Sequence, residues 1–171
     1  MITKLKPLTI ADWDAIPYKE GYRYEIIEGE LFVSCSPGLT HQMVSDNLVV
    51  LLRNFLKLNP IGVAVSVFFS RDQRDTIVAN DRLTGPPALI IEILSPGSSN
   101  VRRDRVAKLQ LYAKHDVPEY WIIDLKNRAI ERYINRDSSL MLEETLGDEG
   151  TLTTSALPGF SCRVSEIFSQ F

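Results

Sequence analysis

Cysteine is scarce in this chain: Cys35 and Cys162 are the two in 171 residues, and no Cys-x-x-Cys pair occurs. Neither a zinc site nor a disulfide framework is therefore indicated. Long apolar runs are missing as well. None approaches the ~18 residues that a membrane-spanning helix needs, so no membrane partner is expected. The opening stretch, MITKLKPLTIADWD, lacks the apolar core of a signal peptide, which makes a cytoplasmic location the expectation. A basic excess is absent too, with 19 Lys and Arg against 22 Asp and Glu and a net charge of -3. That balance argues against a generally basic nucleic-acid coat, although Arg102, Arg103, Arg105 and Lys108 cluster locally. No internal repeat, low-complexity tract or linker interrupts the chain, and residues 1–171 are expected to form one domain. Hydrophobic content of 44% and charged content of 24% are ordinary for a globular protein with a sizeable core.

What the chain does have is concentrated between Pro86 and His115, PPALIIEILSPGSSNVRRDRVAKLQLYAKH. Six of the seven residues from Ala88 to Leu94 are apolar; the other is Glu92. Such a run, bounded by Pro-Pro and Ser-Pro-Gly, reads as a strand buried on both faces. A carboxylate inside it is costly unless something pairs with it, and a metal ion is one such partner. After a short loop, Arg102 to about Lys114 reads as a helix. At about 100° per residue, Lys108 lies roughly 40° from Asp104 and is flanked by Leu111 and Tyr112, while Gln110 and Lys114 share the wet side.

Elsewhere, Thr9 caps a short helix with Asp12 in its first turn. Arg23 to Val33 reads as two strands joined at Glu28-Gly29. Leu39 to Leu58 carries Val44, Leu48, Leu51, Leu52 and Phe55 at helical spacing, with His41 in the first turn and Asn59-Pro60 as the stop. Gly62 to Phe69 is β-rich, Ser70 to Arg74 reads as a polar turn, and Asp75 to Ala79 as the next strand. Glu119 to Asp124 and Ala129 to Ile134 form a hairpin around LKNR, and the tail offers a short strand and a helical turn at Val164 to Phe168. The expected fold class is α/β, with a mixed β-sheet flanked by helices.

Asp75 and Glu92 begin or occupy successive strands, and paired strands would bring both carboxylates to one end of a sheet. Two hard oxygen donors with retained waters suit Mg²⁺. Lys108 would then stabilise charge on a phosphoryl or attacking oxygen. Taken singly, each residue has a plainer role. Asp75 can be a turn residue, Glu92 the partner of a structural arginine, and Lys108 a side chain that snorkels to water. Asp104 can favour a helix N-terminus, His41 can cap or pack, and Glu25 can be an exposed strand residue.

YEIIEGEL, Ser36-Pro37 followed by His41, GPPALIIEILSP, RDRVAKLQLYAKHDVPEYWIIDL and LPGF together resemble the Uma-two family of restriction endonucleases, within the PD-(D/E)XK nuclease superfamily. The resemblance runs in order from about Tyr22 to Phe168 and is densest from Gly85 to Asp124. It implies a restriction-endonuclease-like core and Mg²⁺-dependent (or Mn²⁺-dependent) cleavage of nucleic acid, DNA in the first instance, with a homodimer left open. Glu92 falls on the family's glutamate and Lys108 on its helical lysine, while Leu94 stands where the superfamily places its E-X-K lysine. Glu25, His41 and Asp104 match further polar positions. No Pro-Asp pair occurs in the chain. Arg74-Asp75 is the preferred stand-in, with Asn80-Asp81 as the other register.

Asp75 and Glu92 are thus the expected metal ligands, and Lys108, Glu25, His41 and Asp104 complete the expected catalytic set. The alternative is a degenerate nuclease fold that binds nucleic acid or a protein without cutting. A purely structural role comes third, because it would not require a buried glutamate.

Overall fold

The computed structural model describes residues 6–79, 82–94 and 101–169. Its centre is a six-stranded mixed sheet in the order β10-β9-β8-β7-β4-β3. These strands are β3 Gly62–Ala64, β4 Val67–Ser70, β7 Leu89–Leu94, β8 Glu119–Asp124, β9 Ala129–Arg136 and β10 Ser139–Leu146. Only β7 and β8 of the six pair in parallel, from Leu89↔Glu119 to Leu94↔Asp124. A parallel pair needs a long crossover, and helix α3, residues 101–114, lies in that connection. Every residue of β8 is buried, as befits a central strand covered on both faces.

Period-two alternation then sorts the side chains of β7. Leu89 and Ile91 join Trp121 and Ile123 in a core with Val44, Leu48, Leu52 and Leu56 of helix α1, Leu39–Leu58. Ile90 and Leu94 point the other way, into a cluster with Tyr120, Ile122 and Ala113 of α3. Glu92 shares parity with that second pair, so the strand itself aims the carboxylate at α3.

Outside the main sheet, β1 Tyr22–Ile27 and β2 Glu30–Cys35 form an antiparallel hairpin. Its turn requires positive φ at Glu28 (49°) and Gly29 (82°), the type of turn that matches strand twist. Residues Ile10–Ala15 make a 3-10 turn capped by Thr9 and Asp12, as the sequence predicts. The remaining elements are α2 Arg71–Ile77, the short pair β5 Val78–Ala79 and β6 Arg82–Leu83, the pair β11 Thr151–Thr153 and β12 Ser161–Arg163, and α4 Val164–Ile167. No helix among the described residues is long and apolar enough to cross a membrane.

Two sequence expectations need correction. Residues 70–74 do not form a turn leading to a strand at Asp75. Ser70 accepts a hydrogen bond from the Gln73 amide at 3.2 Å, and Gln73 Oε1 accepts from the Ser70 amide at 3.1 Å. This capping box starts a helix at Arg71 that runs through Asp75 to Ile77; strand structure begins only at Val78. The second concerns β10, a strand for which the sequence reading has no element. Its turn is Asp137-Ser138, both residues at positive φ (51° and 57°), without the glycine that usually announces such a hairpin.

Candidate functional site

Glu92 meets the helix at Lys108. The Lys108 ammonium lies 2.8 Å from Glu92 Oε1, 3.0 Å from Glu25 Oε1 of β1 and 3.7 Å from Asp104 Oδ1. Tyr112, one turn further along α3, donates its hydroxyl to the same Glu92 oxygen at 2.9 Å. Arg103 forms a two-pronged pair with Asp104 at 2.6 and 2.9 Å and reaches Glu25 Oε2 at 3.1 Å. Tyr120 of β8 fixes the helix from beneath by donating to the Asp104 carbonyl at 3.1 Å.

A local deviation of α3 makes this convergence possible. Residues Arg103–Ala107 are π-helical, with the Lys108 amide bonded to the Arg103 carbonyl. An ordinary helix turns residues five apart away from each other; a π segment aligns them. Arg103, Asp104 and Lys108 are consequently all buried on one face. A regular wheel places Lys108 beside Asp104 but does not bring Arg103 in with them.

The cluster forms one wall of a cavity of about 610 Å³, lined among others by Arg23, His41, Ser66, Glu92, Arg103 and Tyr112. Burial pushes the Glu25 carboxyl up, but Lys108, Arg23 and Arg103 more than offset this and hold it below the usual range. Burial lowers His41, with Arg23 acting in the same direction against the Ile93 main chain and Glu92. His41 is therefore neutral at pH 7. The Tyr112 hydroxyl is pushed far up by burial and by Glu92, so it stays protonated and holds its hydrogen bond to Glu92.

A pH dependence follows from His41. Its folded pKa lies below the ordinary histidine value, so as pH falls through about 6.5 the unfolded chain takes up the proton first and stability drops. The loss ends once pH passes below the folded value. Urea midpoints should therefore fall less steeply from pH 7 to pH 5 in His41→Gln than in wild type. Parallel slopes would remove His41 from this role.

Five of the six residues expected from the sequence, Glu25, His41, Glu92, Asp104 and Lys108, thus gather around one cluster and its cavity. Asp75 does not join them: it is exposed on α2 and is not among the cavity's lining residues. Asp81, the other register, lies outside the described residues. The strand that pairs with β7 on this side is β4, which begins at Val67 opposite Ile90 and stops short of the level of Glu92. Ser66, not a carboxylate, follows at the cavity wall. Arg23 is the cavity residue that the sequence reading misses; its signal was the two-residue spacing from Glu25 on one strand face. The basic cluster on α3 also changes meaning. Arg102 pairs with Glu30, Arg103 with Asp104 and Glu25, and Arg105 with Asp124 and Glu131. These side chains fasten α3 to its neighbours and do not compose a basic coat.

The divalent ion implied by the resemblance needs convergent oxygen donors with charge to spare. Among the described residues no three His, Cys, Asp or Glu side chains are grouped to hold an ion. Glu25 and Glu92 do approach each other, but the Lys108 ammonium lies between them, and Asp104 is taken by Arg103. The formal charges of Glu25, Glu92 and Asp104 are matched by those of Lys108, Arg103 and Arg23, the last 3.5 Å from Glu25. These residues do not compose a resident divalent-cation site.

A mixed sheet with α1 on one face and α3 on the other, and a strand glutamate meeting a helical lysine beside a cavity, make this an α/β protein with its polar centre on the α3 side. The family model Uma2, described as "Putative restriction endonuclease", matches residues 65–165, and the chain belongs to that family. A solved structure described as a "putative nuclease belonging to DUF820", from Anabaena variabilis ATCC 29413, superposes with a TM-score of 0.72. It is 17% identical, with 95% of this chain and 98% of that chain covered, a likeness of fold. A comparison with curated proteins finds no match. The restriction-endonuclease-like core expected from the sequence is the observed fold, and family membership gives the chain a nuclease-like function.

Proposed function

We propose that the chain engages nucleic acid, DNA being the expected form, by seating a backbone phosphate at the cavity against Arg23, beside His41. Backbone phosphates are the usual positioning contacts of such proteins, and a guanidinium suits them through its forked donors. The observation that carries this reading is a contrast in exposure. The Arg23 side chain is 53% exposed at the cavity, whereas that of Lys108 is 4% exposed and committed to two carboxylates. Lys108 holds the wall together, and Arg23 is the cation that an incoming phosphate can reach.

Two finer readings remain, and each has an observation behind it. Hydrolysis of phosphodiester bonds with Mg²⁺ or Mn²⁺ is supported by the gathering of Glu25, His41, Glu92, Asp104 and Lys108 in one place. Binding without cutting is supported by the exposed position of Asp75 and by the ammonium between Glu25 and Glu92. The second is the reading that the geometry supports best.

Fluorescence anisotropy with DNA and RNA oligonucleotides, together with plasmid nicking in Mg²⁺, Mn²⁺ or EDTA, separates the outcomes. Wild type should bind, and Arg23→Ala should weaken binding roughly tenfold, the equivalent of one good charge-assisted contact. Asp75→Asn should behave as wild type. Nicking by wild type in Mg²⁺ that Glu92→Gln abolishes would establish hydrolysis in place of mere binding. Wild type that neither binds nor cuts DNA or RNA would overturn the proposal.

A further inference from the structure

We propose that Lys108 is the resident cation of this centre, an ammonium built into the chain at the place where the family's divalent ion is expected. Three observations converge on it. The ammonium is within hydrogen-bond distance of both Glu92 and Glu25 and 3.7 Å from Asp104. Its side chain is 4% exposed, so water has little access to the ammonium itself. The π segment of α3 and the hydroxyl of Tyr112 hold lysine and glutamate in register.

A lysine so placed has a consequence for metal binding. A divalent ion seated between Glu25 and Glu92 would have to expel a buried ammonium into a site walled by Arg103 and Arg23, against like charge on each side. Such a replacement forfeits the existing ion pairs and leaves a cation buried without partners. The aspartate that would add a further negative charge beside Glu92 is missing from β4. The position between Glu25 and Glu92 is thus closed to Mg²⁺ and Mn²⁺ by the chain's own side chain, and removing the ammonium should open it.

The inference concerns the same site as the proposed function but is tested without nucleic acid, so the two can fail separately. Thermal unfolding of wild type should give the same midpoint in EDTA, 10 mM Mg²⁺ or 1 mM Mn²⁺ once ionic strength is matched (conditions of about these values, well above typical sensor-site affinities). Lys108→Met keeps the stem and removes the charge. In EDTA it should melt lower, on the order of 10 °C, because carboxylates lose their partner. Mn²⁺ should restore about half of that drop by mass action, and should not do so in Lys108→Met combined with Glu92→Gln. Calorimetric titration of wild type provides an arm that stands whether or not the variant folds: no heat of Mn²⁺ binding is expected. Saturable Mn²⁺ binding to wild type that Glu92→Gln abolishes would overturn the proposal, as would a folded Lys108→Met that gains nothing from Mn²⁺.

Discussion

Asp104→Ala is expected to lower the stability of this protein by about 3–5 kcal/mol, the range for removing one partner of a buried ion pair. Asp104 has no measurable exposure and accepts two hydrogen bonds from Arg103. Alanine in its place leaves a guanidinium at 5% side-chain exposure facing the Lys108 ammonium across the gap. Glu25 can serve only part of that charge, because it already shares Lys108 and Arg23. Asp104→Asn keeps the shape and one acceptor, so its loss should be smaller. Urea unfolding of the two variants beside wild type measures the difference. A loss below about 1 kcal/mol for alanine would mean that water enters the cluster and that the site is less closed than its geometry implies.

Glu119→Ala should be comparably damaging, again about 3–5 kcal/mol, yet silent in nucleic-acid binding by the folded variant. Glu119 is 1% exposed and accepts from Trp121 Nε1 at 2.7 Å, Thr154 Oγ1 at 2.6 Å and Arg132 Nε at 3.1 Å. Its removal strands an indole N–H and a hydroxyl in the core, each an unsatisfied buried donor. Arg132 retains its pair with Glu144, which limits the charge left over. By strand parity Glu119 belongs with Trp121 and Ile123 on the α1 side of the sheet, opposite to Glu92. Intrinsic fluorescence of Trp121 should change with the substitution, and anisotropy with oligonucleotides should not. A fall in affinity by a variant shown to be folded would reveal coupling through the sheet.

These two acids illustrate why a buried glutamate in a strand is ambiguous when read alone. Glu92 and Glu119 both sit in apolar strands, and both are satisfied by cations and hydroxyls in the structure. What separates them is the empty space beside Glu92. The cavity exists because β4 stops before the level of Glu92 and α1 brings His41 to the rim, neither of which can be read from the residues around Glu92.

Much of the architecture is nevertheless determined by the sequence itself. The two-residue period of β7 fixes the face on which Glu92 emerges, and the spacing of Val44, Leu48, Leu52 and Leu56 fixes which side of α1 is buried. Glu28-Gly29 fixes the first hairpin, since few dipeptides accept positive φ twice. Glu92 and Lys108 stand out in the sequence as charges in apolar surroundings, whereas Glu25, His41 and Asp104 join the expected set through the family resemblance, and Asp75, expected beside them, lies elsewhere. Tertiary structure decided what those positions do. The π segment of α3, beside the Arg103–Asp104 pair and the Tyr120 bond to the Asp104 carbonyl, brings Arg103 onto the same buried face as Asp104 and Lys108. Asp75 is lost to the site through a capping box two to five residues upstream, a short-range hydrogen-bond exchange between Ser70 and Gln73 that outweighs the β-branched pair Thr76-Ile77. Where the ammonium of Lys108 comes to rest is decided by distances between β1, β7 and α3. No local pattern encodes these distances, because they arise only when three segments far apart in the chain pack against one another.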